Sequence, residues 1–183
     1  MRIKKYISLL SFGSIILGIT TLFNIENPQK IINHLKGYEY LGKQNVFFQK
    51  GKSDCGPAAL MNVFQHYGIE SSLDEIQLIS GTTTHGTSML GLQQMAEIKG
   101  LKATGWHYTW KDFMRATLPI IVFMDNDHYT VVDSFYNDGD LRIIDPARGV
   151  LKMSKRKFNR IWSGETLQIE RVDSKESTLL TKG

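Results

Sequence analysis

Hydrophobic positions change their period near the middle of the chain, which divides it into a helical part and a strand-rich part. Leu60, Val63, Phe64 and Tyr67 fall at i, i+3, i+4 and i+7, the spacing of one helix face. Ser53-Asp54 offers an N-cap ahead of Pro57 in the first turn, and Gly68 is placed to stop that helix. A second helix begins at Ser72, with Glu75 three residues on completing a capping box, and ends at Gly81. A third runs from a Ser88 cap through Leu92, Met95, Ala96 and Ile98 to Gly100. Upstream of all three, Val46-Phe47-Phe48 reads as a short strand.

Strand patterns follow. Pro119 to Met124 is an unbroken apolar run suited to a buried strand, and Asp125-Asn126-Asp127 supplies turn residues before a second run, His128 to Phe135. Asp138-Gly139 is a hairpin signal leading into Leu141 to Ile144, and Asp145-Pro146 with Arg148-Gly149 marks a further turn. Val150 to Met153 and Thr166 to Ile169 are predicted strands on either side of a short helix near Phe158 to Trp162. Helices first and an antiparallel sheet second predict an α+β fold whose halves pack on each other.

The N-terminal segment has another character. Met1 to Lys5 is positive, and the 18 residues from Tyr6 to Phe23 are uncharged and mostly apolar. That length is near the lower limit for a spanning helix and above the usual secretory core. The exit, Thr20 to Asn24, lacks an Ala-x-Ala pattern. Residues 1–23 are therefore expected to be a signal peptide or a signal anchor. With Arg2, Lys4 and Lys5 held in the cytoplasm, the body is expected to be exported to the periplasm or another extracytoplasmic space. If residues 6–23 stay uncleaved, they anchor it in the inner membrane. Residues 24–42 are expected to be a tether, residues 43–170 one domain, and residues 171–183, polar and aperiodic, a loose tail.

Composition narrows the chemistry. At 183 residues, 42% hydrophobic and 22% charged, the chain supports one ordinary core. The net charge of +4 belongs mainly to the leader: without its 3 cations, 22 basic residues fall to 19, against 18 acidic ones. The body thus has no electrostatic reason to bind nucleic acid. One cysteine excludes a disulfide framework and a cysteine-based zinc cluster within the chain.

That one cysteine stands where a nucleophile is made. Cys55 lies just before Pro57 at a predicted helix N-terminus, where unpaired N–H groups and the helix dipole favour a thiolate. His128 opens a strand and Asp145 closes a neighbouring one, so the Asp138-Gly139 hairpin can bring both to one end of the sheet. A nucleophile on a helix N-terminus, then a histidine, then an acid on a strand is the order of papain-like enzymes. Gln49, six residues before Cys55, can supply a side-chain N–H to an oxyanion beside the Cys55 N–H.

The stretch Gln49-Lys-Gly-Lys-Ser-Asp54-Cys55-Gly56-Pro57-Ala58-Ala59-Leu60 resembles the active-site motif of the bacteriocin-processing, double-glycine-leader peptidase family, papain-like cysteine peptidases. Leu118 to Val122, His128 to Val132 and Ile143 to Gly149 resemble that family's later motifs in order and spacing, and Phe158, Trp162 and Gly164 its C-terminal end. The resemblance implies Cys55 as nucleophile, His128 as general base and acid, Asp145 orienting the imidazole and Gln49 in the oxyanion hole. It implies exported peptide or protein substrates cut after a Gly-Gly leader site, and a secretion or export system as partner. Members often form the N-terminal domain of peptide-exporting ABC transporters; this chain is expected to be a stand-alone relative.

Other features carry blander expectations. Gly51-Lys52-Ser53 is no phosphate loop, since the first glycine of that motif would fall on Val46. His34, His66, His85 and His107 lack partners at metal-ligand spacing and are expected at the surface or in packing; no metal or cofactor is expected. Asp125-Asn126-Asp127 is expected to be a solvated turn, and Trp106, Trp110 and Trp162 are expected to pack in cores or interfaces. Two rival functions remain: a non-catalytic module that binds a leader or secretion substrate, and a papain-like amide hydrolase or acyltransferase of the cell envelope.

Overall fold

A computed structural model of the chain describes residues 35–172. The expected signal segment, most of the expected tether, His34 and the expected tail from 173 lie outside the described residues. Within the unit that begins at Gly37, seven strands form one antiparallel sheet: β1 (Tyr38–Gly42), β2 (Leu101–His107), β3 (Ile120–Met124), β4 (His128–Phe135), β5 (Leu141–Asp145), β6 (Gly149–Met153) and β7 (Trp162–Arg171). Their order across the sheet is β1-β6-β5-β4-β3-β7-β2. The helices are α1 (Cys55–Tyr67), α2 (Leu73–Ile79), α3 (Met89–Ile98), α4 (Trp110–Phe113) and α5 (Lys155–Ile161). Among the described residues no helix is long and apolar enough to cross a membrane.

Local chemistry sets the helix limits. Ser72 Oγ accepts the Glu75 N–H at 3.1 Å and Ser88 Oγ the Gly91 N–H at 3.0 Å, so orphan first-turn donors are satisfied. The second half of the predicted capping box is absent, because the Glu75 carboxylate accepts from Ser71 and Lys99. Gly68 ends α1 in the left-handed region (φ 67) that glycine enters without a Cβ clash.

The unbroken apolar run of β3 is explained by burial on both faces. Ile121, with Tyr129 and Val131 of β4 and Leu167 and Ile169 of β7, meets Leu60, Val63 and Phe64 of α1 and Leu92, Met95 and Ala96 of α3. On the opposite face Ile120, Val122 and Met124 join Val132, Leu141, Ile143 and Leu151 under Phe113, Phe158 and Trp162. Phe113 and Phe158 stack with centroids 5.3 Å apart, and Trp162 sits 4.6 Å from Phe113. The architecture is α+β, but the sheet is sandwiched between helices instead of closing one side of the molecule.

Two expectations need correction, and one strand was not anticipated. The end of the supposed tether, Tyr38–Gly42, is the edge strand β1, paired with β6. Leu101–His107, which the sequence pattern passed over, is the other edge strand. Val46-Phe47-Phe48 is no strand: the Asn62 side chain on α1 receives the Phe47 N–H at 2.9 Å and donates to the Phe47 carbonyl at 3.0 Å. A side-chain amide thus gives Phe47 the two hydrogen bonds that a neighbouring strand would give.

Candidate active site

Register brings the chemical residues to one end of the sheet. Val131 pairs with Ile144, so β4 begins and β5 ends at the same edge, with His128 and Asp145 side by side. The tight connection before His128 depends on Asp125 and Asn126 in left-handed backbone (φ 53 and 59), a conformation these two residue types tolerate. Helix α1 lies across β4. Its first residue, Cys55, is therefore delivered to the same edge.

The local sequence around Cys55 has little freedom. At Gly56 a Cβ would stand 3.2 Å from both the Leu92 and Tyr129 side chains, so a bulkier residue would push α1 off the sheet. Cys55 is 6% exposed and borders a cleft of about 260 Å³. One wall of the cleft is the Thr84–Thr87 loop; the other is formed by Phe123, Asn126 and Asp127. His85 is surface-exposed as expected, yet it also lines this cleft, a placement that spacing alone could not show.

His128 Nε2 lies 2.9 Å from Asp145 Oδ1. An ionised carboxylate only accepts, so Nε2 carries the proton and Nδ1 is the ring nitrogen left for the neighbouring Cys55 side chain. Asp145 is 1% exposed, and its Oδ1 also accepts the Ala147 N–H at 2.8 Å, which fixes the carboxylate in one rotamer. Burial pushes the Asp145 pKa up, but the hydrogen bond and charge of His128, the Ala147 N–H and Arg148 outweigh it and leave it below the usual carboxylate range. Burial likewise opposes the thiolate, yet the His128 side chain and the backbone of Tyr129 and Gly56 bring the Cys55 pKa below its ordinary value. His128 is lifted to about 9, against its own burial, by its contacts with Asp145 and Cys55. The Tyr129 phenol, pushed up to about 12 by burial and by the Cys55 charge, stays protonated throughout the working range.

These shifts have signs that solution work can read. The thiolate forms above the depressed Cys55 pKa, and the imidazolium persists up to about pH 9, so the charged pair exists between the two. Iodoacetamide alkylation of Cys55 should persist well below the free-thiol value of about 8.5. His128→Ala should move that profile to higher pH, since burial then acts without its main compensation. Alkylation only after denaturation would show that the thiol is shielded and unactivated.

Gln49 and Asp54 are arranged differently from a simple motif reading. The Gln49 N–H donates to Pro146 O at 3.1 Å, tying its loop to the turn that follows Asp145. Its Nε2 donates to Gly51 O at 2.8 Å, which leaves a second hydrogen on that nitrogen. Asp54, expected to cap α1, makes no side-chain capping bond; its carboxylate turns back into the loop and accepts from Gly51 and Gln77. Trp110 and Trp162 pack in the second core, whereas Trp106 is 49% exposed and stacks on Tyr108, contrary to a packing role. Among the described residues no group of three or more His, Cys, Asp or Glu is placed to hold a metal.

Residues 43–174 match the Peptidase C39 family. A protein of Methanothermobacter marburgensis described only as uncharacterized is 34% identical over 134 residues, 73% of this chain and 94% of its own length. The lactococcin-G-processing and transport ATP-binding protein LagD of Lactococcus lactis is 30% identical over 72% of this chain, which spans only 21% of LagD. Among solved structures, the peptidase domain of Streptococcus ComA, a bifunctional ABC transporter, superposes with a TM-score of 0.65 at 29% identity, covering 70% of this chain and 98% of that domain. A double-glycine-motif protease from an AMS/PCAT transporter shares the fold, with a TM-score of 0.67 at 24% identity over 74% of this chain and 99% of that one. The archaeal and bacterial relatives and the antiparallel sheet agree: this chain is a cysteine peptidase of the Peptidase C39 family.

Proposed function

We propose that the chain is an endopeptidase that cleaves peptides or proteins after a Gly-Gly leader site through Cys55, His128 and Asp145. The observation that carries this reading is the hydrogen bond from the half-buried His128 to the buried Asp145, beside a depressed thiol at the edge of a cleft. In the forward step the Cys55 thiolate attacks the scissile carbonyl and His128, protonated, gives its proton to the leaving amine. Water then resolves the thioester, with His128 acting as base. The N–H of Cys55 and the Gln49 amide hold the oxyanion.

The substrate class is supported by relatives. LagD is described as processing lactococcin G, and the AMS/PCAT protease was solved with a leader peptide. The cleft beside the nucleophile, about 260 Å³ and walled by the Thr84–Thr87 loop, is where such a leader would lie. A substrate of this kind would reach the site by way of a peptide-export system. The purified full chain should cut a leader-type peptide ending in Gly-Gly and leave its Ala-Ala counterpart at least about tenfold slower. Equal cleavage of both, or of neither, would overturn the substrate reading.

A further inference from the structure

Asp54 does not cap the nucleophile helix, and the bonds it makes instead run toward the oxyanion donor. Gln77 Nε2 on α2 donates to Asp54 Oδ1 at 2.7 Å, and the Gly51 N–H donates to Asp54 Oδ2 at 2.8 Å. The carbonyl of that same Gly51 accepts from Gln49 Nε2 at 2.8 Å. Asp54 is 8% exposed, and Gln49 Oε1 is buried with no hydrogen-bond partner. The amide of Gln49 is thus held through its nitrogen alone, by a carbonyl whose own residue is fixed by a buried carboxylate.

We propose that Asp54 is a positioning residue: anchored on Gln77, it fixes Gly51, and through Gly51 it aims the second hydrogen of Gln49 Nε2 at the oxyanion. The proposal rests on the oxyanion reading of Gln49 given above. Its chemistry is directional. Both groups that Asp54 receives are N–H donors, so only an acceptor on each oxygen satisfies the site, and the Lys-Gly-Lys stretch between Gln49 and Ser53 brings no apolar side chain to pack. Asp54 is not among the groups that set the Cys55 pKa, so nucleophile activation and oxyanion geometry are separable.

The separation defines the experiment. In the full chain, Asp54→Asn turns one acceptor into a donor facing a donor, and the pair Asp54→Asn with Gln77→Glu restores complementarity at unchanged net charge. Asp54→Asn should lower kcat on the Gly-Gly peptide by about 10- to 100-fold with KM within about twofold, the range for a displaced oxyanion donor. Cys55 should still alkylate at the wild-type pH. The Gln49 side-chain amide, followed by NMR in glutamine-labelled protein, should move toward a free amide in the single variant and return in the pair. An unmoved Gln49 amide in Asp54→Asn overturns the proposal whatever happens to cleavage. So does a rate loss that Gln77→Glu fails to rescue, the mark of a merely structural role. If Gln49→Ala leaves kcat unchanged, the oxyanion reading fails instead, and the amide signal still decides whether Asp54 holds Gln49.

Discussion

Cys55→Ala should reduce peptide cleavage by more than about 10⁴-fold, the scale seen when a covalent nucleophile is removed. The fold should survive it. Cys55 borders an open cleft, so losing one sulfur leaves a dent that solvent reaches instead of a sealed cavity, at a cost of about 1 kcal/mol. For a domain of this size that lowers the melting midpoint by no more than about 5 °C. A second signal comes from His128, whose pKa is held at about 9 partly by Cys55; in the variant it should fall, because one of its two stabilising partners is gone while burial remains. Cleavage retained in Cys55→Ala would end the covalent mechanism, and a His128 titration unmoved from about 9 would show that the thiol and imidazole do not interact.

Asp145→Ala should cost about 10³-fold or more in kcat, because it removes the acceptor for both the His128 ring and the Ala147 N–H. The ring would lose its fixed tautomer, and two part-buried donors would lose their partner, adding about 1 kcal/mol of destabilisation. Asp145→Asn is the informative comparison. Its Oδ1 can accept both bonds, so geometry is kept while the charge is lost, and activity should stay within about tenfold of wild type, since papain-like sites can work with an amide there. The alkaline limb of the rate profile, set at about 9 by the His128 proton that the leaving amine needs, should move to lower pH, because the Asp145 charge helps to keep that proton on. Rate profiles of the three proteins from pH 5 to 10 read both effects. Near-normal turnover in Asp145→Ala would remove Asp145 from the mechanism.

The helices and the inner strands were legible because each carries a signal of its own. Ser72, Ser88 and Gly68 cap or stop their helices as expected, and β3 and β4 are apolar on both faces. The edges of the sheet were not. In β2 only Leu101 and Ala103 are buried, and the next inward position is Gly105, so the alternation stops after two beats. β1 has no buried residue at all, and its ladder with β6 is a tertiary fact that five residues cannot announce. Phe47 misled in the opposite direction, since its apolar neighbours suit a strand while Asn62 meets its backbone.

Cys55, His128 and Asp145 could be singled out because helix N-terminus, strand start and strand end are positions that sequence can mark; the hydrogen bond between His128 and Asp145 follows from the β4–β5 register. Asp54 was misread for a physical reason. An aspartate before a helix caps it by default, and here the Gly51 N–H and the Gln77 side chain, 23 residues away, offer the competing bonds that draw the carboxylate back. His85 came to the cleft by a loop closed through the Thr82–Thr87 hydroxyl contact and the Thr83–Gly86 bridge, neither of which has a periodic signature.

The last of the described strands has an interior seat. β7 lies between β3 and β2, pairing Ile120–Met124 on one side and Leu101–His107 on the other. During synthesis β2 has no neighbour, and β3 has an open edge, until Trp162–Arg171 has been made. Helix α1 and its cysteine are finished about a hundred residues earlier. The sheet that carries His128 and Asp145 therefore gains its bridging strand only after both of those residues and the whole of α1 have been made. The core face on which α1 and Cys55 rest includes Leu167 and Ile169, so strand placement makes assembly of the proposed site a late event in folding.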